Sequence, residues 1–210
     1  MTCSLPASNS ASLQGRVMAA WFRNAEEIDG QIVLSAFHRR IQFLEKVSMT
    51  IDQDLARIEL QEEMLRFDAF DLSTAWVLGK LLRDLASERN MGVAIDITLH
   101  SMPVFYIALP GSTPDNSNWI RRKRNMVLRY FRSSYASTLR LQQQGKTIED
   151  NGLSSAEYAA SGGSFPIFVN GTGCVGAVTV SGLPQREDHN LVVEALALTL
   201  GHELHNLSLA

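Results

Sequence analysis

The chain is expected to fold as an α+β domain, an antiparallel β-sheet of at least four strands in two hairpins, flanked by helices. Three observations lead there. The hydrophobic period is helical up to residue 92, then becomes strand-like, and does so again after residue 163. Each pair of strand-like segments is joined by a tight turn. That excludes a parallel doubly wound sheet, whose strands need long crossovers. Helical segments bracket both pairs, in the order α-α-β-β-α-α-β-β-α, and such helices pack on a sheet face.

The elements follow in order. Ile51 to Arg66 reads as a surface helix, with Ile51, Leu55, Ile58 and Leu65 on one face and charge on the other. Asp52 and Asp54 lie in its first turn, where carboxylates favour the positive end of the dipole. Phe67 to Phe70 is a connector. Asp71 is a good N-cap for a second helix, whose stripe is Ala75, Leu78, Gly79, Leu82, Leu85 and Ala86. Gly92 stands where a left-handed residue usually ends a helix. Val93, Ile95, Ile97 and Leu99 alternate as in a half-buried strand, and Val104 to Leu109 is nearly all apolar, as in a central one. A polar loop over 110–118 opens a long helix that reaches about Ser133, followed by a helix over Tyr135 to Gln144. Gly145 to Ser155 reads as a loop. Phe165, Ile167 and Val169 begin the second hairpin, Asn170-Gly171 turns it, and Val175 to Val180 returns. A last helix runs from the turn Ser181-Gly182-Leu183-Pro184 to about His202.

The 210 residues suit one domain of ordinary size with room for an appendage. A hydrophobic share of 45% supports a real core. Nineteen basic residues against twenty-two acidic leave a net charge of −3, so no overall basic field points to nucleic acid. No uncharged apolar run approaches the ~18–20 residues of a membrane span. Cys3 and Cys174 are too few for a disulfide framework. The expected setting is cytoplasmic, without nucleic-acid or membrane partners.

Residues 1–48 are expected to be an extension, weakly ordered or carrying one helix of its own. Val33, Phe37, Ile41 and Leu44 have helical spacing but no strong start cap. The lack of acidic residues before Glu26, with Arg16 and Arg23 present, faintly resembles a mitochondrial presequence. Met49 leads straight into a capped helix and reads as an alternative start. The core domain is therefore set at 49–210.

Four residues are candidates for ligand binding: Lys123, Ser181, Gly182 and His189. Arg121-Arg122-Lys123-Arg124 cannot form one basic face, because consecutive helical residues point 100° apart. Lys123 alone falls within the apolar stripe of Trp119/Ile120, Met126/Val127 and Tyr130/Phe131. A lysine there must snorkel, pair with a carboxylate or meet an anionic ligand. The Ser181–Pro184 turn exposes backbone N–H groups at a helix start, a ready anion site or simply a tight turn. His189 heads the buried stripe of the last helix, as a ligand, a general base or a hydrogen-bonded core histidine. No phosphate-loop, nucleophile-elbow or zinc pattern is present, so catalytic residues stay unassigned and no metal is expected.

Three segments carry a resemblance: ALPGSTPDNSNWIRRKRN (108–125), SGGSFPI (161–167) and VGAVTVSGLPQREDHNLVVEAL (175–196). Through them the chain from Met49 to about Leu200 resembles a UPF-type protein family within the haem-degrading-domain superfamily. That superfamily includes the GlcG and haem-binding HbpS proteins and the C-terminal domain of PduO adenosyltransferases. The likeness to the haem binders rests on Lys123 and on Val180 to Pro184. It implies a GlcG/HbpS-like sheet flanked by helices and assembled into symmetric homo-oligomers. It also implies a small carboxylate-bearing ligand, haem or a related tetrapyrrole, as the candidate cofactor. No established axial ligand maps onto this sequence residue by residue, and whether the protein is an enzyme stays open. The alternative is an oligomeric protein-interaction module with no small ligand.

The domain boundary has a direct check. Residues 49–210 expressed alone should unfold in the same thermal transition as the full chain; a truncated protein that does not fold refutes the boundary.

Overall fold

The computed structural model describes Arg40 and residues 50–209. The expected helix within Gln31–Val47 and the alternative start at Met49 lie outside the described residues. From residue 50 the chain is helical through residue 64 (α1). Then come β1 (Arg66–Phe67), α2 (Leu72–Glu88), β2 (Ala94–Leu99), β3 (Met102–Ala108), α3 (Pro114–Tyr130) and α4 (Ser134–Gln144). The two strands β4 (Ser164–Val169) and β5 (Gly173–Ser181) and the helix α5 (Gln185–Leu200) complete the domain.

The α+β class stands, but the sheet is mixed rather than purely antiparallel. Its five strands lie in the order β1-β4-β5-β2-β3. The two expected hairpins pair antiparallel and join through β2 and β5, Asp96 opposite Thr179. The connector expected at residue 67 instead contributes β1, which runs parallel to β4 with Phe67 opposite Val169. Two residues are too short to show a period, and only the free edge of β4 makes them a strand.

The two strands of the first hairpin exchange the roles expected of them. The alternating strand β2 is the inner one, buried at all six positions. The nearly continuous apolar strand β3 is the sheet edge, with Met102 and Tyr106 exposed. Alternation in β2 marks two buried faces of different chemistry. Ile95 and Ile97 join Phe165, Ile167, Val178 and Val180 in an apolar face, packed under Leu78 and Leu82 of α2 and Val192 and Leu196 of α5. The opposite face carries Asp96, Thr98, Ser164 and Thr179, all buried, and lies under α3. Fixed pleating puts i and i+2 on one side, so one strand can serve both layers.

Local chemistry sets the helix ends. Asp71 caps α2 by accepting from Thr74 N at 2.7 Å. The left-handed residue past α2 is Asn90, at φ 54°, and not Gly92. Asparagine tolerates that conformation. Gly92 is needed for a close approach instead, since a Cβ there would sit 2.9 Å from the Gly111 carbonyl carbon. Thr113 and Asn116 form a capping box at the start of α3, with Pro114 in its first turn. The loop expected after α4 contains a short 3₁₀ turn at Glu149–Asn151. A smaller apolar cluster (Leu55, Ile58, Tyr135, Leu139 and Leu209) holds α1 against α4. No helix among the described residues is long and apolar enough to cross a membrane.

A buried ion pair behind a cationic cleft

Lys123 occupies the buried stripe of α3 together with Ile120, Met126 and Val127. Of the fates open to a lysine there, the structure builds the ion pair. Its Nζ donates to Asp188 Oδ2 at 2.7 Å and to the Val180 carbonyl at 3.2 Å. The two side chains are only 3% and 1% exposed. Asp188 comes from the first turn of α5, and its second oxygen accepts from Leu183 N at 3.0 Å. The free N–H groups of the Ser181–Pro184 turn therefore face the chain's own carboxylate. Burial pushes the Asp188 carboxyl up and the Lys123 ammonium down, each opposed by the charge of the other.

The remaining candidates surround this pair. Ser181 ends β5 and is buried, and its carbonyl accepts from Asn116 Nδ2 at 3.2 Å. Gly182 is exposed, at φ 156°. The chain passes the pair at Gly163, where φ is 115° and a Cβ would lie 2.7 Å from Asp188 Cβ and 3.0 Å from Lys123 Nζ. Only glycine fits both the angle and the space.

His189 points to the apolar side, against Tyr135 and Phe165 with ring centroids 5.3 and 6.0 Å away. Gln61 Nε2 donates to the Leu207 carbonyl at 2.6 Å, so its Oε1 faces the imidazole and accepts from His189 Nε2 at 2.8 Å. This network assigns the proton to Nε2. Nδ1 is then a buried acceptor with no partner. Full burial and the neighbouring Arg186 charge push the His189 pKa down to about 3.

An opening lies on the other side of α3. It is a cleft of about 630 Å³ whose lining includes Trp119, Arg122, Lys146, Tyr158, Ser161 and Gln185. The Arg122 guanidinium stacks over the Trp119 ring at 4.5 Å, and its Nε is buried without a hydrogen-bond partner. Arg121 and Asn125, on the flanks of α3, tether the loop that carries Tyr158. Arg121 bonds Glu157 and the Ala156 carbonyl, and Asn125 Nδ2 donates to the Glu157 carbonyl at 2.8 Å. Gly145, left-handed at φ 62°, ends α4, and the next residue, Lys146, donates its N–H to Leu141 O at 2.9 Å. Glu149, also on the cleft wall, is held by hydrogen bonds to its own backbone and to Ser155, which keep its carboxyl below the usual range. The ion pair sits behind this wall, on the far side of Ser161 to Gly163.

The sequence reading did not single out Trp119, Arg122, Lys146 or Tyr158 as ligand contacts. The run Arg121–Arg124 does split by helical phase, as expected. One residue turns to the cleft, one to Asp188, and Arg124 turns to Asp96 and Thr98 at 2.9 and 3.0 Å. Arg122 was the one to find, as a basic residue one helical turn after a tryptophan. Among the described residues no group of His, Cys, Asp and Glu is placed to hold a metal ion.

The family described as haem degrading protein HbpS-like matches residues 70–197, more than half of the chain. A UPF0303 protein of Rhizobium rhizogenes is 90% identical over 162 residues, 77% of this chain and 100% of that relative. The crystal structure of Ybr137w protein superposes with a TM-score of 0.66 at 31% identity, covering 70% of this chain and 87% of that one. A PduOC complex with haem shares the fold, with a TM-score of 0.53 at 16% identity over 61% of this chain and 94% of that one.

Two measurements check this geometry. Lys123→Met should cost about 3–5 kcal/mol in urea unfolding, because it strands the Asp188 carboxylate, and Lys123→Met with Asp188→Leu should recover most of the loss. An unchanged single mutant refutes the pair. His189 binds its proton far more weakly folded than unfolded, so stability should fall as pH drops from about 6.5 towards 3. Its share of the slope is at most about 1.4 kcal/mol per pH unit. His189→Met should remove that share, and an identical slope in mutant and parent would show that His189 does not cause it.

Proposed function

The chain belongs to the HbpS-like family of haem degrading proteins, and from that premise we propose that it binds haem or a related carboxylate-bearing tetrapyrrole in the Trp119–Arg122 cleft. The observation that carries this reading is the Arg122 Nε, a buried donor without a partner inside a cleft of ligand size. Ligand pockets span about 300–1,000 Å³ and combine apolar walls with a few placed polar groups. Trp119 and Tyr158 offer flat surfaces to a ring, while Arg122 and Lys146 offer cations to its carboxylates.

Haem fits this donor set at its edge and its faces. Among the lining residues, Tyr158 is the one of a type that ligates haem iron. Bound haem would supply the iron chemistry; the residues of this chain hold and orient it. Lys123, Ser181, Gly182 and Asp188 form a support behind the wall, and the Lys123 pair keeps the ammonium from competing for the ligand. His189 is too enclosed to reach the cleft.

A second reading rests on a different observation. The edge strand β3 exposes Met102 and Tyr106, and Trp76 on the neighbouring helix is 63% exposed. Such a face suits a second copy of the chain, as expected of a homo-oligomer. Hemin titration with light scattering on the same sample distinguishes the two. The first reading expects a Soret shift that weakens roughly tenfold to a hundredfold in Arg122→Gln, the loss of one charge-assisted hydrogen bond. Hemin binding unaffected by both Arg122→Gln and Trp119→Leu would sink the cleft assignment. A stable assembly without any Soret shift would favour the second reading.

A further inference from the structure

On the far side of α4's last turn lies a second, smaller cavity of about 130 Å³. Its lining includes Arg132, Ser137, Arg140, Gln144 and Asn151, with Tyr130 beside them. It shares only Leu141 and Ile148 with the cleft, so these two apolar side chains form the partition. The sequence reading attached no role to any of these five polar residues.

The arginines differ in what they already hold. Arg140 gives its Nη2 to Glu59 at 2.6 Å, yet its Nε is buried and has no hydrogen-bond partner. Arg132, in the link between α3 and α4, has no hydrogen-bond or ion-pair partner among the described residues. The nearby carboxylates are engaged: Glu59 by Arg140, and Glu62 by the Ser133 N–H at 2.7 Å. Burial raises the pKa of Glu62, and the Ser133 hydrogen bonds and the Arg132 and Arg140 charges oppose that rise. Ser137 donates to the Ser133 carbonyl at a long 3.3 Å, a weak bond that a better acceptor can replace. The Gln144 and Asn151 amides add neutral donors at the rim. A cavity with a guanidinium that makes no hydrogen bond among the described residues, a buried orphan N–H and neutral donors otherwise is short of a hydrogen-bond acceptor.

We infer that the Arg132–Arg140 cavity is a binding site for a small oxyanion, inorganic phosphate or the phosphate of a small monoester. It is separate from the cleft and does not depend on what the cleft binds. Arg132 supplies a guanidinium whose N–H groups are unbonded among the described residues, and Arg140 Nε with Ser137 and the two amides supply direction. The volume admits a phosphate group and excludes a large ligand.

The test is thermal unfolding of the full chain in inorganic phosphate against chloride at equal ionic strength, so that screening is the same in both. A transition temperature that rises with phosphate beyond the chloride control is expected. Arg132→Gln, which removes no hydrogen bond among the described residues, should abolish the rise, Ser137→Ala should shift the half-effect to severalfold higher phosphate, and Arg122→Gln in the cleft should leave it intact. Replacing phosphate by glycerol 3-phosphate separates the two sources: an equal or larger rise assigns the site to monoesters, a smaller one to the free ion. No phosphate-specific rise in the parent protein, or a rise that persists in Arg132→Gln, overturns the site. Loss of the rise in Arg122→Gln alone would place phosphate in the cleft instead and also overturn it.

Discussion

An ammonium ion cannot be left unpaired between a helix and a sheet, and this domain is arranged around meeting that demand. Lys123 projects from the middle of α3 towards the sheet, and its carboxylate partner arrives from the first turn of α5, 65 residues further along the chain. For the two to meet, β5 must end where it does, its turn must give an N–H to Asp188, and the chain before β4 must pass as glycine at residue 163. Three separate pieces of backbone are thereby fixed by one contact. A pair so enclosed adds little net stability compared with an apolar isostere, but breaking it on one side is costly. Its effect is to specify one register of α3 on the sheet.

The same logic accounts for the two unlike faces of the sheet. Aliphatic side chains of β2, β4 and β5 meet α2 and α5 in a dry layer. Under α3 the sheet carries hydroxyls and a carboxylate instead, and each has a partner: Ser164 Oγ lies 2.8 Å from Thr179 Oγ1, and Asp96 takes Arg124 and Thr98. Burial raises the Asp96 pKa and Arg124 opposes it, as at Asp188. Small and polar residues on this face let α3 lie close, while its outward side remains free to line the cleft with Trp119 and Arg122.

Placing the charges inward has a consequence outside. With Lys123 and Arg124 satisfied by the protein, the cations that line the openings on this side of the domain include Arg122 and Lys146 at the cleft and Arg132 at the smaller cavity. The helix N-terminus expected to receive an external anion is filled by Asp188. The support and the binding surface are thus separate layers, and a change in one need not reach the other.

The order of elements, the hairpins, the Asp71 cap and the burial of Lys123 were legible along the chain, because each follows from spacing and local turn chemistry. The αα-ββ-αα-ββ-α reading survives with shifts of a few residues, and the apolar phase of α3 places Lys123 correctly. Tertiary pairing set which strand is the edge, since β2 becomes an inner strand by pairing with β5 about 80 residues away, and no local pattern records a partner. The tertiary structure also decided that β1 exists, that Asn90 rather than Gly92 turns left-handed, and that the anion of the glycine turn is Asp188. The cleft was out of reach for the same reason. Its walls come from α3, α4, the loop over 145–161 and the start of α5, and the free Nε of Arg122 is defined by what does not approach it, which spacing along a chain cannot express.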